Sequence, residues 1–312
     1  MKGLELAEKF YLEYGAQMIR EKFSGVEKYI AVGLCGSGSE CFGYDDALSV
    51  DHDFEPGFCL FIPDESIIDS RCAFALERAY NSLPREFMGC RRNTVNPVGG
   101  QRHGVIRIGD FLKEKTGTED GQLSEKDYFF IPEQSLAEAT NGKIFSDPLG
   151  HFSAVRKHLS YFPENVRLKK LAGHLLLMGQ SGQYNYPRCL SRGDTGAAQL
   201  SVTEFVKSTL SVIFLINKIY LPYYKWTFRS LSDLPRLSEL SKTLEYLISS
   251  GNGEERIKKQ EYIEDICHRV AQELTSDKLT RYSGDEAEGH AYSVNDLITD
   301  SNLRTMHILY GV

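Results

Sequence analysis

Beyond about residue 150, every segment with an apolar repeat has a helical one. Segments 151–161, 164–181, 196–221, 234–249, 255–275 and 294–309 all read as helices with apolar residues at helical spacing. Strand-like runs occur only before that point. This switch predicts an α+β chain with a small mixed-sheet domain over residues 1–148 and an all-helical domain over 149–312. The length of 312 residues accommodates two domains. A composition of 41% apolar and 25% charged residues excludes intrinsic disorder, collagen-like repeats and a disulfide scaffold as the main architecture.

The first half is more varied. Leu4, Ala7, Phe10, Tyr11, Tyr14 and Met18 recur at helical spacing and predict a helix over 4–23. Tyr29 to Cys35 reads as a buried strand, followed by the turn Gly36-Ser37-Gly38-Ser39. A second strand is expected over Asp53 to Ile62, bent at Pro56-Gly57. A helix is expected over 65–82, a polar loop over 91–104 and a third strand over Gly104 to Ile108. Gly251-Asn252-Gly253 marks a break between helices, and residues 284–289 are expected to form a loop.

Charge is unevenly spread. Residues 1–150 hold 16 Lys/Arg against 25 Asp/Glu, whereas residues 151–312 hold 20 against 18. The net charge of −7 argues against a nucleic-acid partner, since such domains usually carry a basic excess. The seven cysteines include no Cys-x-x-Cys pair, and most of them read as small buried hydrophobes. The first residues lack an apolar signal region, and the run Val212 to Ile216 is too short to cross a bilayer. The expectation is a cytoplasmic protein with no membrane partner.

The chemistry concentrates in residues 38–53. Gly38-Ser39 follows a strand and offers backbone N–H groups and a hydroxyl to a phosphate, ideally at a helix N-terminus. Asp51-x-Asp53 enters the next strand, where residues i and i+2 project to one face. Two such carboxylates suit Mg²⁺, which takes carboxylate oxygens together with substrate phosphates and water.

Gly38-Ser39, Gly43, Ser49, Asp51 and Asp53, in that order, resemble the pattern of the nucleotidyltransferase superfamily that shares its fold with DNA polymerase beta. Ser49 to Phe58, Tyr184-Asn185, Arg192-Gly193-Asp194 and Leu221 to Trp226 resemble signatures of the bacterial family called domain of unknown function 4037. The resemblance implies a nucleotidyltransferase-like first domain and a helical second domain closing over a nucleotide. It implies transfer of a nucleoside monophosphate from a nucleoside triphosphate to an acceptor hydroxyl, with release of pyrophosphate. Asp51 and Asp53 would bind one or two Mg²⁺ ions, and Gly38 and Ser39 the terminal phosphates. Lys225 and Arg192 would neutralise the triphosphate. The acceptor is expected to be a small molecule.

The superfamily places a third carboxylate on a later strand. At that position this chain carries Arg107, with Asp110 three residues on as the candidate third acid. Two alternatives follow: a module of the same fold that binds nucleotide or protein without catalysis, and an enzyme that nucleotidylates a protein or an RNA. Around this set, Glu55 is a candidate metal neighbour and Asp45 and Asp46 read as a solvated turn. Arg188 joins Arg192 in an expected polar loop over 183–194, with Asp194 a candidate helix cap. Arg91, Arg92 and Arg102 are expected to be solvated, and His52 to pack away from the aspartates. There is no P-loop, no dinucleotide-binding glycine triplet and no nucleophile elbow.

Overall fold

The computed structural model describes residues 1–46, 55–92 and 103–312. Two compact units emerge: Met1–Leu123 with Ile131–Ser160, and Ser124–Phe130 with Tyr161–Val312. The architecture is α+β, with a small mixed sheet in the first unit and helices throughout the second.

In the first unit, α1 (Gly3–Phe10) runs through a wider turn at Tyr11–Gly15 into α2 (Ala16–Lys22). The wide turn sets Gly15 against Phe58, whose ring would stand 2.5 Å from any Cβ added there. Strand β1 (Ala31–Leu34) leads to the one-turn helix α3 (Ser39–Phe42), and β2 (Cys59–Ile62) follows. Next come α4 (Ser70–Asn81), the hairpin β3 (Glu86–Phe87) and β4 (Cys90–Arg91), β5 (Gly104–Arg107) and α5 (Ile108–Thr116). Helix α6 (Glu133–Thr140), β6 (Lys143–Ser146) and α7 (His151–His158) complete the unit. The larger sheet has the order β5-β2-β1-β6, with β2 and β5 parallel and the other pairs antiparallel.

Both faces of this sheet are covered, which is why β2 is a continuous apolar run rather than an alternating one. Leu60 and Ile62 pack with Leu6, Phe10, Leu76 and Tyr80. Cys59 and Phe61 pack on the other face with Phe111, Leu112 and Phe152. Several expectations are corrected. Of the described part of the expected second strand, only Cys59–Ile62 is strand; Glu55 to Phe58 is irregular around Pro56-Gly57. The third strand stops at Arg107, because Ile108 already opens α5. The helix expected from residue 65 starts at Ser70, where the Asp69 carboxylate accepts from the Cys72 N–H. The hairpin interrupts the loop expected from residue 91.

In the second unit, α8 (Glu164–Met178) continues through a wide helical turn at Gly179–Asn185 into α9 (Tyr186–Ser191). The expected polar loop over 183–194 is therefore helical to Ser191, leaving Arg192 to Asp194 as the connection. Helix α10 (Thr195–Asn217) ends earlier than Pro222 suggests, with Lys218 in the left-handed region at φ 55°. The helix is long and apolar enough to span a membrane by length and composition alone, although its run Val212 to Ile216 is short. Its apolar window is 67% buried within the unit, as a core helix would be. Helices α11 (Tyr224–Ser232), α12 (Ser241–Ser249), α13 (Arg256–Ser276), α14 (Ala287–Asn295) and α15 (Ser301–Thr305) follow. Thus the loop expected at 284–289 runs into α14, and the helix expected over 294–309 is replaced by α15 and turns.

Helix α8 packs on α10 and α14. It buries polar groups as well as apolar ones. The Lys169 ammonium donates to Asn295 Oδ1 at 3.0 Å and to the Met306 carbonyl at 2.7 Å. The Nδ1 atom of His174 is buried without a hydrogen-bond partner. Burial, with Lys170 and Lys207 nearby, pushes the His174 pKa down to about 3. The folded state therefore keeps this ring neutral, while the unfolded chain takes up a proton below about pH 6.5. Its contribution to stability is complete above that pH and is lost as pH falls towards 3. We expect the second unit to lose up to about 3 kcal/mol between pH 6.5 and 4 through this group. His174→Gln should flatten that dependence in urea unfolding curves; an unchanged slope would count against the buried neutral ring.

Candidate functional site

The turn after β1 is built from glycines. Gly36 has φ +115° and Gly38 φ +135°, conformations that L side chains rarely adopt. Gly38 also lies against the buried Glu40 carboxylate, where a Cβ would stand 2.5 Å from Oε1. Ser39 opens α3 and is nearly buried, and Tyr44 N–H donates to its carbonyl at 2.8 Å. The expected strand-to-helix turn is present, but α3 has a single turn and so supplies little macrodipole. Gly36 N–H is engaged by Asn141, so what the turn offers a phosphate is its later backbone N–H groups and the Ser39 hydroxyl.

Far-off residues hold this turn. Asn141, after α6, accepts from Gly36 N–H through Oδ1 at 2.9 Å and donates to the Gly36 carbonyl through Nδ2 at 2.8 Å. Gly142 N–H donates to the Cys41 carbonyl at 2.9 Å.

Asp51 and Asp53 lie outside the described residues, as do His52, Ser49 and Arg102. Among the described residues, no group of three or more His, Cys, Asp or Glu is gathered as a metal site. The flanking acids are described. Glu55 Oε1 lies 2.9 Å from His103 Nδ1, and the His103 ring packs on Gly57. Asp45 is buried rather than solvated, a correction for that residue. Its Oδ2 accepts from Gly3 N–H at 2.8 Å, so it caps α1, and the Lys2 ammonium is 3.8 Å from Oδ1. Asp46 is exposed, as expected.

Arg107 has a structural occupation. It donates to the carbonyls of Pro63 at 2.7 Å and Ile68 at 3.1 Å, and it stands 3.5 Å from the Glu65 carboxylate. These contacts close the chain after β2. Asp110 sits exposed in the first turn of α5, beyond the end of β5. Arg92 is not simply solvated: its guanidinium lies 4.4 Å from the Tyr80 ring centroid and donates to the Tyr80 carbonyl. Arg91 is exposed.

The remaining candidates belong to the second unit. Lys225 is exposed near the start of α11, its ammonium 4.9 Å from the Trp226 ring centroid. The adjacent Tyr223 and Tyr224 rings are 4.2 Å apart. Arg192 is exposed at the C-terminus of α9, and Arg188 lies over the Tyr184 ring at 4.7 Å. Asp194 caps α10, accepting from Ala197 N–H at 2.9 Å. The structure thus places Gly38, Ser39 and Asp110 in the first unit, and Lys225 and Arg192 in the second on different elements.

Residues 128–227 match the family model described as domain of unknown function DUF4037. The matched stretch takes in Tyr184-Asn185, Arg192 to Asp194 and the Leu221 to Trp226 corner. Gly38, Ser39, Asp51, Asp53 and Asp110 precede it. A nucleotidyltransferase-like protein from Exiguobacterium sibiricum 255-15 is a structural neighbour. Its crystal structure is 14% identical in sequence with a TM-score of 0.36, the match covering 89% of this chain and 78% of the other. No curated protein matches the chain.

Proposed function

We propose that this protein is a nucleotidyltransferase that moves a nucleoside monophosphate from a nucleoside triphosphate to an acceptor hydroxyl, most simply that of a small molecule. The observation that carries the reading is the ordered set Gly38-Ser39 and Asp51-x-Asp53, with the glycine turn at the end of a strand in the mixed sheet. On this reading the turn's later N–H groups and the Ser39 hydroxyl hold the terminal phosphates. Asp51 and Asp53 would hold Mg²⁺, and their oxygen-only donor set fits that ion. When bound, Mg²⁺ would supply charge neutralisation at the attacking and leaving oxygens. Lys225, and secondarily Arg192, would add positive charge along the triphosphate, and Asp110 is the remaining candidate acid. The proposed setting is the cytoplasm, without membrane or nucleic-acid partners.

A second reading is a non-catalytic nucleotide- or protein-binding module of the same fold. The engagement of Arg107 with Pro63, Ile68 and Glu65, where the resemblance implies a carboxylate, favours it. A protein or RNA acceptor is the third possibility, tested by retention of a label from the triphosphate on lysate protein or RNA.

Thermal unfolding against ATP, GTP, CTP and UTP, each with and without Mg²⁺, tests the binding step. One triphosphate should stabilise the protein in a Mg²⁺-dependent way, by about 2.7 kcal/mol at a hundredfold excess over its dissociation constant. Asp53→Asn should remove the Mg²⁺-dependent part. No stabilisation by any of the four would overturn the proposal.

A further inference from the structure

The Gly36 to Ser39 turn is stapled from a distance of 105 residues along the chain. The Asn141 side chain meets both polar groups of one peptide residue, Gly36 N–H and Gly36 C=O, at 2.9 and 2.8 Å. Only one orientation of the amide satisfies both, with oxygen on the N–H and nitrogen on the carbonyl. Asn141 is itself fixed. Its N–H donates to the Ala137 carbonyl at 2.8 Å, and its carbonyl accepts from the Arg156 guanidinium. Arg156 Nε also donates to the Ala139 carbonyl at 3.0 Å. One residue on, Gly142 N–H grips the Cys41 carbonyl at 2.9 Å. Consecutive residues, 141 and 142, therefore hold the turn at Gly36 and the helix that follows it at Cys41.

A glycine turn has many accessible conformations, and an unsupported one loses entropy when it closes on a ligand. Donors already aimed at their target do not carry that loss. We infer that Asn141 is a positioning residue that pre-sets the Gly36 to Ser39 turn to bind the terminal phosphates of a nucleoside triphosphate. The inference rests on the proposed nucleotidyltransferase reading, whose phosphate-binding element is this turn.

The test compares the wild-type chain with Asn141→Ala and Asn141→Asp by calorimetric titration. The ligands are inorganic tripolyphosphate with Mg²⁺, each of the four nucleoside triphosphates with Mg²⁺, and the corresponding nucleosides. Loss of two neutral hydrogen bonds should weaken triphosphate and tripolyphosphate binding by about tenfold. Nucleoside affinity should be unchanged, a split that general loosening of the fold would not produce. Asn141→Asp keeps the acceptor for Gly36 N–H but sets a second oxygen against the Gly36 carbonyl, and should weaken binding at least as much. It decides the question if Asn141→Ala does not fold. Wild-type binding that both folded variants match would overturn the inference and leave the nucleotidyltransferase reading standing. Absence of triphosphate and tripolyphosphate binding by the wild-type chain would overturn both.

Discussion

Asp51→Asn combined with Asp53→Asn is expected to bring Mg²⁺-dependent pyrophosphate release down to background. The argument follows from donor chemistry. Asparagine keeps the size of aspartate and one carbonyl oxygen, but removes the negative charge that a hard divalent cation requires. Charge stabilisation by a bound metal is worth several kcal/mol in a transition state, and each 1.36 kcal/mol is a factor of ten. The double variant should therefore lose about 10³-fold or more of the activity. The assay is release of pyrophosphate from the triphosphate that stabilises the wild-type chain, with candidate hydroxyl acceptors. Asp110→Asn tests the candidate third acid. A large loss would place Asp110 in the chemistry, despite its exposed position in α5. Unchanged activity would leave the aspartate pair as the working acids. A double variant as active as its parent would remove Asp51 and Asp53 from the mechanism, and with them the proposed function.

What could be read from sequence divides along physical lines. Strand β2 was legible because Phe58 to Ile62 is apolar without interruption, the pattern of a strand covered on both faces. Strand β6 was not. Lys143-Ile144-Phe145-Ser146 is four residues long and sits at the sheet edge, so neither length nor alternation marks it. Gln183 to Asn185 is polar and reads as a loop, yet the wide helical turn carries the chain straight into α9. Helix α10 stops at Asn217 without a glycine, because Lys218 takes the left-handed conformation. At the candidate site, the glycine-serine turn was visible as a local pattern. Its support was not: Asn141 is one polar residue in an Asn-Gly pair, and its partner lies 105 residues away. Asp45 misled for the same reason. Beside Asp46 it looks like a solvated turn, and only the folded chain brings it to the Gly3 N–H. Arg107 likewise acquires its role from Pro63 and Ile68, contacts that no local spacing encodes.

The largest loss of stability from a single methyl group is expected at Gly142. Its φ is +65°, in the left-handed region, and a Cβ there would stand 2.0 Å from the Leu34 carbonyl oxygen and 2.8 Å from Cys35 Cα. These neighbours are backbone, so no rotamer change relieves the contact. The chain must instead move where β6 pairs with β1, since Leu34 is the register partner of Lys143. Gly43 supplies the matched control. Its φ is +70°, but nothing lies within 4 Å of an added Cβ. Gly43→Ala should lose only the left-handed penalty, about 1 kcal/mol. Gly142→Ala adds overpacking of a fixed backbone and should lose about 3 kcal/mol or more. Urea unfolding of both variants, followed by circular dichroism, measures the difference. The same displacement shifts Gly142 N–H away from Cys41 and should loosen α3, the helix into which the glycine turn runs. Gly142→Ala is therefore expected to lose triphosphate affinity as well as stability, whereas equal losses in the two variants would show that the β1–β6 edge yields freely to the methyl group.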